Sequence, residues 1–544
     1  MARIRARRPR AAVAVTVAAL LAAACRGGAE PATDAGSAPG TIASLDAELV
    51  PGGAGSGRDR PSPDGTDPDG TDPDGTDPDG TDPGTGGPTS PDGDDDRSGA
   101  GLGDGVGDPY FPAAGNPGID MVRVDAALDW QPATGTGRGT AAGRLEGEVT
   151  ITLRITEARR GVQLDLRGLD VTATTLDGED VEHTHLDGEL RIAPDRLFDA
   201  GDEHTVGVSY GGTPTPVDDG AGIGIEVGWS TTPTGTYVAS EPVGASTWLP
   251  VNDHPSDKAV YSLAVTVDDP TEVIALGVLQ GTEPGPRPGS TTWRFRARDP
   301  VASYLVSVAT GDFDVRNDTA PRTGVPLRNA FPAGQGDRYA ADFARTGEMI
   351  DTFSELFGPY PFEVYGVVVV DADLGYALEN QTLSLFDRFI GGDEVIVAHE
   401  LAHQWFGDAV SPAQWDDIWL NEGFATYAEW LWLDASDPAF DLDARAAATW
   451  QQGLPFLGPI GDPGRRELFG ASVYQRGGLL LHALRTTVGD EAFFTILRQW
   501  VQTYSGGSAS TDAFVELAST VAERPLDDFF DAWLNDARMP ALPG

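Results

Sequence analysis

Two histidines and two glutamates within residues 399–422 carry the strongest chemical signal in the chain. They read His399-Glu400-Leu401-Ala402-His403, with Glu422 eighteen intervening residues later in Asn421-Glu422-Gly423-Phe424-Ala425-Thr426. On a helix over 393–406, four residues turn the chain by roughly 400°, so His399 and His403 leave one face a turn apart. Their imidazoles can then hold one zinc ion at roughly 2.0–2.1 Å each. Glu400 lies about 100° round such a helix. It is off the ligand line but within reach of a water on the metal, where a general base belongs in a zinc hydrolase. A catalytic zinc takes three protein ligands and leaves one position for water, which makes Glu422 the candidate third ligand. The alternative is a pair of core histidines satisfied by hydrogen bonds, which the apolar Leu401 and Ala402 between them would suit. Only seven histidines occur in the chain, and a spaced glutamate follows this pair, which favours the metal.

These side chains need two crossing elements. Apolar residues from Asp417 to Trp430 are spaced as on one helix face, so Glu422 can arrive from a second helix packed across the first. Between them, Gly407 to Pro412 reads as a turn, with Pro412 blocking continuation of the first helix. Residues 339–357 are expected as a helix, Phe362 to Val370 as a strand and Gly375 to Phe386 as a further, exposed strand. Residues 441–451 and 472–488 are expected as helices, 453–467 as a Gly/Pro loop near the site, and 490–502 and 511–537 as a helical tail. Upstream, the runs 145–155, 162–166, 204–210, 259–267, 272–277 and 290–298 alternate apolar and polar residues between turns. That pattern predicts an all-β domain, a sandwich or saddle of sheets. Its histidines, His183, His185, His204 and His254, lack ligand spacing and are expected at the surface or in turns.

The chain is thus expected to be multidomain: a targeting segment (1–25), an acidic linker (26–106), a β domain (107–312), an α+β catalytic domain (313–503) and a short helical C-terminal segment (504–544). At 544 residues and 40% hydrophobic content, more than one core is affordable. The formal charge is −47; residues 61–100 hold twelve aspartates against one arginine, and the rest still carries −36. Such a field repels nucleic acid and anionic membrane surfaces, so neither is an expected partner. Arginines at 3, 5, 7, 8 and 10 precede an apolar run from Ala11 to Ala24, the form of an export signal. The run ends at Cys25, the single cysteine, and resembles a bacterial lipoprotein signal in which that cysteine is acylated. The protein is therefore expected to be exported and lipid-anchored on the extracellular side, with secretion as the alternative, and to be a monomer. Residues 26–106, in which Asp-Pro-Asp-Gly-Thr recurs between Pro63 and Asp82, offer little to bury, which suits a tether. Calcium binding there is the alternative, although the aspartate spacing does not match an EF-hand loop.

In its full form, His399-Glu400-Leu401-Ala402-His403-Gln404-Trp405-Phe406-Gly407 followed by Trp419-Leu420-Asn421-Glu422-Gly423-Phe424-Ala425 resembles the M1 family of zinc aminopeptidases. These gluzincins include aminopeptidase N and leukotriene A4 hydrolase. The resemblance, over roughly 108–503, implies a thermolysin-like catalytic domain behind an N-terminal β domain and one Zn2+ ion. Tyr376-Ala377-Leu378-Glu379-Asn380 is similar to the family's Gly-x-Met-Glu-Asn segment. There the glutamate, matched by Glu379, grips the substrate's free α-amino group, and the strand that includes Ala377 aligns the peptide backbone. Tyr376 and Leu378 depart from the family pattern on the wall of the expected specificity pocket. Val473-Tyr474-Gln475-Arg476-Gly477-Gly478 resembles the segment holding the catalytic tyrosine; without the resemblance, Tyr474 would read as a structural aromatic at a helix start. Trp248 to Lys258 looks like the family's Phe-Pro-Cys-x-Asp-Glu-Pro region. The residue that helps hold the amine precedes that region, and Glu241 is the nearest candidate, at shorter than usual spacing. The large C-terminal helical domain of longer relatives has no counterpart here, which implies a more open cleft.

What the resemblance implies is a peptidase acting on substrates with a free N-terminus. Glu400 would serve as base, Tyr474 as oxyanion donor, and Glu379 as amine anchor. A zinc endopeptidase would share the ligands, an epoxide-opening second activity occurs in one relative, and a non-enzymatic lipoprotein binding surface partners is a third class.

Overall fold

The computed structural model describes residues 105–133, 143–218, 220–222, 224–389 and 393–543. All of them belong to one compact unit. The targeting segment, Cys25 and the Asp-Pro-Asp-Gly-Thr repeats lie outside the described residues. Among the described residues, no helix is long and apolar enough to cross a membrane.

The N-terminal half is β-rich. Strand Arg144–Ile155 buries every second residue (Leu145, Val149, Ile151, Leu153, Ile155), so its alternation translates directly into one buried face. It pairs antiparallel with Ile119–Gln131 and Glu203–Gly212. Ile119–Gln131 in turn pairs parallel with Lys258–Asp268. Together with their neighbours these strands make a sheet of nine among the described residues. Its inner face shares one core with Val162 and Ile192 of a three-stranded sheet and with Trp229 and Val238 of a five-stranded one. Trp130, Trp229 and Trp248 pack with tilted rings through this core at 5.3 and 5.8 Å between ring centroids.

The C-terminal half is helix-rich around a five-stranded mixed sheet that begins at Phe313. Several of its elements are shorter than the sequence pattern suggests. The helix expected over 339–357 is two, Gly336–Asp342 and Thr346–Phe357. They are interrupted where Phe343 turns inward against Phe331 and Phe386. The strand expected over 362–370 keeps regular pairing only at Val367–Val369, with a single bridge at Tyr365. The exposed strand expected over 375–386 is instead a hairpin. Ala377–Leu378 pairs antiparallel with Ser384–Phe386, and the connecting residues Glu379 to Leu383 are buried. Thr382, at φ +67°, makes that turn possible: its N–H donates to Gln404 Oε1 (2.9 Å), and its hydroxyl accepts from Gly277 N (2.7 Å).

His254 lies in a turn, as expected of the β-domain histidines, with Asp257 N–H donating to its carbonyl at 3.1 Å, but the turn is buried. His254 is 2% exposed, and its ring faces Ser256 Oγ at 2.7 Å and Asp108 Oδ2 at 3.4 Å. Asp108 also accepts from the backbone N–H of Tyr110, Phe111 and Trp415, so one buried carboxylate joins the start of the β-rich half to the helix-rich half. The segment 407–412, expected as a turn, includes a short strand, Val410–Pro412, parallel to Gly507–Ala509. The loop 453–467 bonds to Leu534 through Ile460 and Gly461 and to Tyr110 through Asp462.

Candidate active site

The helix carrying the two histidines runs Glu394–Ala402, shorter than the expected 393–406. Asp393 caps it, its side chain accepting from Val395 N at 3.1 Å. It stops because Gln404 is drawn into the protein. The Gln404 amide donates to Glu379 O (2.8 Å) and Asp408 Oδ2 (2.6 Å) and accepts from Thr382 N and Tyr360 OH. Gly407, at φ +127°, then reverses the chain. His403 is still in helical conformation and donates its own N–H to His399 O, so the one-turn spacing of the imidazoles survives.

Glu422 comes from the first turn of a second helix, Trp419–Ser436. Its Oε2 lies 3.1 Å from His399 Nε2 and 3.5 Å from His403 Nε2. Ligands about 2.0–2.1 Å from a tetrahedral zinc stand about 3.3 Å apart, so these two separations fit edges of such a site. The remaining ring nitrogens fix the tautomers. His403 Nδ1 donates to Phe406 O at 3.0 Å, and His399 Nδ1 faces Glu429 Oε1 at 2.8 Å. A carbonyl can only accept, so the Nε2 lone pair of neutral His403 points at the Glu422 carboxylate, an arrangement a cation relieves.

The charges point the same way. Burial opposes imidazolium at His399, yet the carboxylates of Glu422 and Glu429 outweigh it and raise the ring well above its ordinary value. Burial pushes the Glu422 carboxyl up, but His403 and His399 overcome it and hold it at about 2. Glu400 is raised to about 8, chiefly by burial.

Glu379 and Glu241 converge on the same place. Glu379 sits in the buried hairpin turn; Glu241 comes from the β-rich half, just beyond strand Thr236–Ala239. Carboxylate oxygens of Glu241, Glu379 and Glu422 lie within 4.8 Å of one another. Oε1 of Glu241 and of Glu379 has no hydrogen-bond partner among the described residues. Ala377 is half-buried on the outermost strand of the five-stranded sheet. Tyr474 lies on helix Ala471–Val488, its ring stacked on His399 at 5.8 Å between centroids. Burial first, then the surrounding glutamates, raise its phenol far above the ordinary value and keep it a hydrogen-bond donor.

The structure thus brings together seven of the sequence-predicted residues and sets Ala377 on the strand that leads into Glu379. It adds others that the sequence reading missed. Glu429 is one; its position seven residues after Glu422, two turns along one helix face, was the available signal. Lys258 and Tyr304 are others: the Lys258 ammonium donates to Asp408 O and Ala409 O (2.7 and 3.2 Å), and Tyr304 OH donates to Gly407 O (3.1 Å). They pin the turn after His403 from the β-rich half, and no local pattern announces them. Arg476, two residues beyond Tyr474, donates to Trp533 O, Ala532 O and Asp536 O, clamping the C-terminal helix Asp527–Asn535 to the tyrosine helix.

Comparison with known proteins gives a consistent picture. The Peptidase M1 N-terminal domain matches residues 139–305, and the Peptidase family M1 domain matches 341–533. Solved structures of an M1 zinc metallopeptidase from Deinococcus radiodurans are similar at 34% identity and a TM-score of 0.74. One of them, a mutant bound to a Tyr-Ser-Ala substrate, covers 81% of this chain and 99% of that one. Among curated relatives, Aminopeptidase M1 of Arabidopsis thaliana is 26% identical over 326 residues, 56% of this chain and 37% of its own length. Aminopeptidase N of Streptomyces lividans is 25% identical over 463 residues, 78% of this chain and 51% of its own. The chain therefore spans between about a third and a half of these two longer relatives.

The glutamate and tyrosine helices touch through glycine. A Cβ on Gly477 would stand 2.6 Å from the Cα of Gly423, next to Glu422 in sequence. Gly477→Ala must therefore spread the two helices, at a cost of ~1–3 kcal/mol in stability. It is expected to lower turnover while zinc content, measured by elemental analysis, stays unchanged. Unaltered turnover would mean that this contact does not set the position of Tyr474.

Proposed function

The chain belongs to peptidase family M1, and from that membership we propose that it is a zinc-dependent aminopeptidase removing N-terminal residues from peptides with a free α-amino group. The observation that carries this reading is the pairing of a His399–His403–Glu422 trio with two further buried carboxylates, Glu241 and Glu379, whose Oε1 atoms lack partners. An α-ammonium group satisfies both glutamates; a blocked N-terminus leaves them buried and unpaired, which is costly.

Zinc held by His399, His403 and Glu422, a single ion, would acidify a water and polarise the scissile carbonyl. The chain's own residues do the rest. Glu241 and Glu379 fix the amine, so the first peptide bond is the one presented. The open edge at Ala377–Leu378 aligns the substrate backbone as an added strand. Glu400 takes a proton from the attacking water and returns it to the leaving amine. The Tyr474 hydroxyl donates to the developing oxyanion, and Glu429 holds His399 in its ligating tautomer.

The same proposal covers location. Export and a lipid anchor at Cys25 are supported by the arginine-rich start, the apolar run 11–24 and the single cysteine. Cys25→Ser should release the enzyme from the cell surface into the medium; variant protein that stays membrane-bound would remove the anchor.

Activity is tested with aminoacyl chromogenic amides, free and N-acetylated, with and without chelator. Free amides should be cleaved and acetylated ones spared, with activity lost to chelator and regained with zinc. Glu379→Ala should reduce kcat/KM for free-amine substrates by ~30-fold or more, about 2 kcal/mol. Glu400→Gln should keep zinc and lose turnover. Equal cleavage of free and acetylated peptides would instead make the protein an endopeptidase.

A further inference from the structure

The two glutamates that face the amine end follow strands of different sheets. Glu241 comes just after Thr236–Ala239 of the β-rich half, and Glu379 just after Ala377–Leu378 of the helix-rich half. The second strand is weakly held by its own sheet. It is two residues long, pairs with Ser384–Phe386 on one side and leaves its other edge open. Its distance from the β-rich half must therefore be set by side chains.

Side chains alternate along a strand, and here they divide between two cores. Ala377 packs against the main core, whereas Tyr376 and Leu378 pack against a separate, smaller one. Tyr376 and Leu378 are also the two positions that depart from the family's Gly-x-Met-Glu-Asn pattern. The smaller core joins Tyr237 and Ala239 of the β-rich half to Val368 and Leu385 of the helix-rich half. Within it the Tyr237 side chain hydrogen-bonds the side chains of Tyr376 and Ser230. Tyr237 lies on the strand that leads to Glu241, and Tyr376 immediately precedes the strand that leads to Glu379. One side-chain hydrogen bond thus spans the gap between the two strands. Glycine, the family's residue at the position of Tyr376, has no side chain with which to make it.

We propose that Tyr376 and Tyr237 are positioning residues for amine recognition, their hydrogen bond fixing the strand at Ala377–Leu378 against the β-rich half and so setting the separation of Glu379 from Glu241. The inference rests on the reading that these two glutamates receive the substrate's α-amine. The turn of the hairpin is held independently, by Gly277 N on the Thr382 hydroxyl (2.7 Å) and by the Gln404 amide on Glu379 O (2.8 Å). Loss of the tyrosine bond therefore loosens the strand at its outer end without releasing the turn. A net hydrogen bond is worth roughly 3- to 10-fold in an equilibrium. The loss falls on KM, because the amine is held alike in the ground state and the transition state.

The test uses zinc-loaded, full-length protein and two substrates with one side chain, L-leucine p-nitroanilide and its des-amino analogue, 4-methylpentanoyl p-nitroanilide. Tyr376→Phe and Tyr237→Phe should each lower the ratio of kcat/KM for the free-amine substrate to that for the analogue by roughly 3- to 10-fold, through KM. The double variant should lose no more than either single one, and Tyr376→Phe added to Glu241→Gln should lose nothing further. Either single variant breaks the same bond, so the other bears the test if one loses zinc or fails to fold. An unchanged ratio, equal losses on both substrates, or losses that add in the double variant would each overturn the proposal. A wild-type enzyme that cleaves the two substrates equally removes the amine-anchor reading, and the role of the tyrosines with it. Wild-type preference for the free amine that both variants retain in full removes the tyrosines alone.

Discussion

Buried carboxylates that must be paired with positive charge or protonated are the constraint around which this protein is arranged. Glu241, Glu379, Glu400, Glu422 and Glu429 are all buried, and they surround two imidazoles. A carboxylate out of water is tolerable only when paired or protonated. Here the pairing runs through the His399 and His403 rings, and both rings are pushed toward the protonated form by the carboxyls facing them. In the proposed reading, the same electrostatic demand that suits the trio to a metal ion suits Glu241 and Glu379 to a positively charged amine.

Both halves of the described fold hold this cluster together. The β-rich half is not an appendage: it supplies Glu241, and through Lys258 and Tyr304 it fixes the carbonyls of residues 407–409 just beyond His403. Gln404 ties the hairpin turn at Glu379 to the turn after the histidine helix. The C-terminal helices act from the other side. Phe514 packs on Trp419 and Phe424 beside Glu422, and Arg476 anchors the last helix two residues from Tyr474. A short tail therefore steadies the two helices that carry Glu422 and Tyr474.

Local rules made the metal trio and the β-rich half legible in the amino-acid sequence. The spacing of His399 and His403 survives because His403 stays helical, and the alternation over 144–155 becomes a buried face without intervention. What escaped was decided by tertiary contacts. The histidine helix ends early because the Gln404 amide finds four partners, three of them at least 22 residues away in sequence. The 375–386 segment folds into a hairpin because Glu379 is drawn into the site and Thr382 accepts a left-handed conformation. His254 is buried because Asp108, 146 residues away, meets it. Glu241 could be suggested only by family resemblance; its convergence with Glu379 depends on how the two halves pack. Glu429 was within reach, as a second acidic residue two turns along the same helix face.

The most direct measurement of the central claim is an anomalous-scattering map from crystals of zinc-loaded protein, collected at the zinc absorption edge. The account predicts a strong peak about 2.0–2.1 Å from His399 Nε2, His403 Nε2 and a Glu422 oxygen. A zinc peak elsewhere, or the three side chains apart with no peak between them, would contradict it.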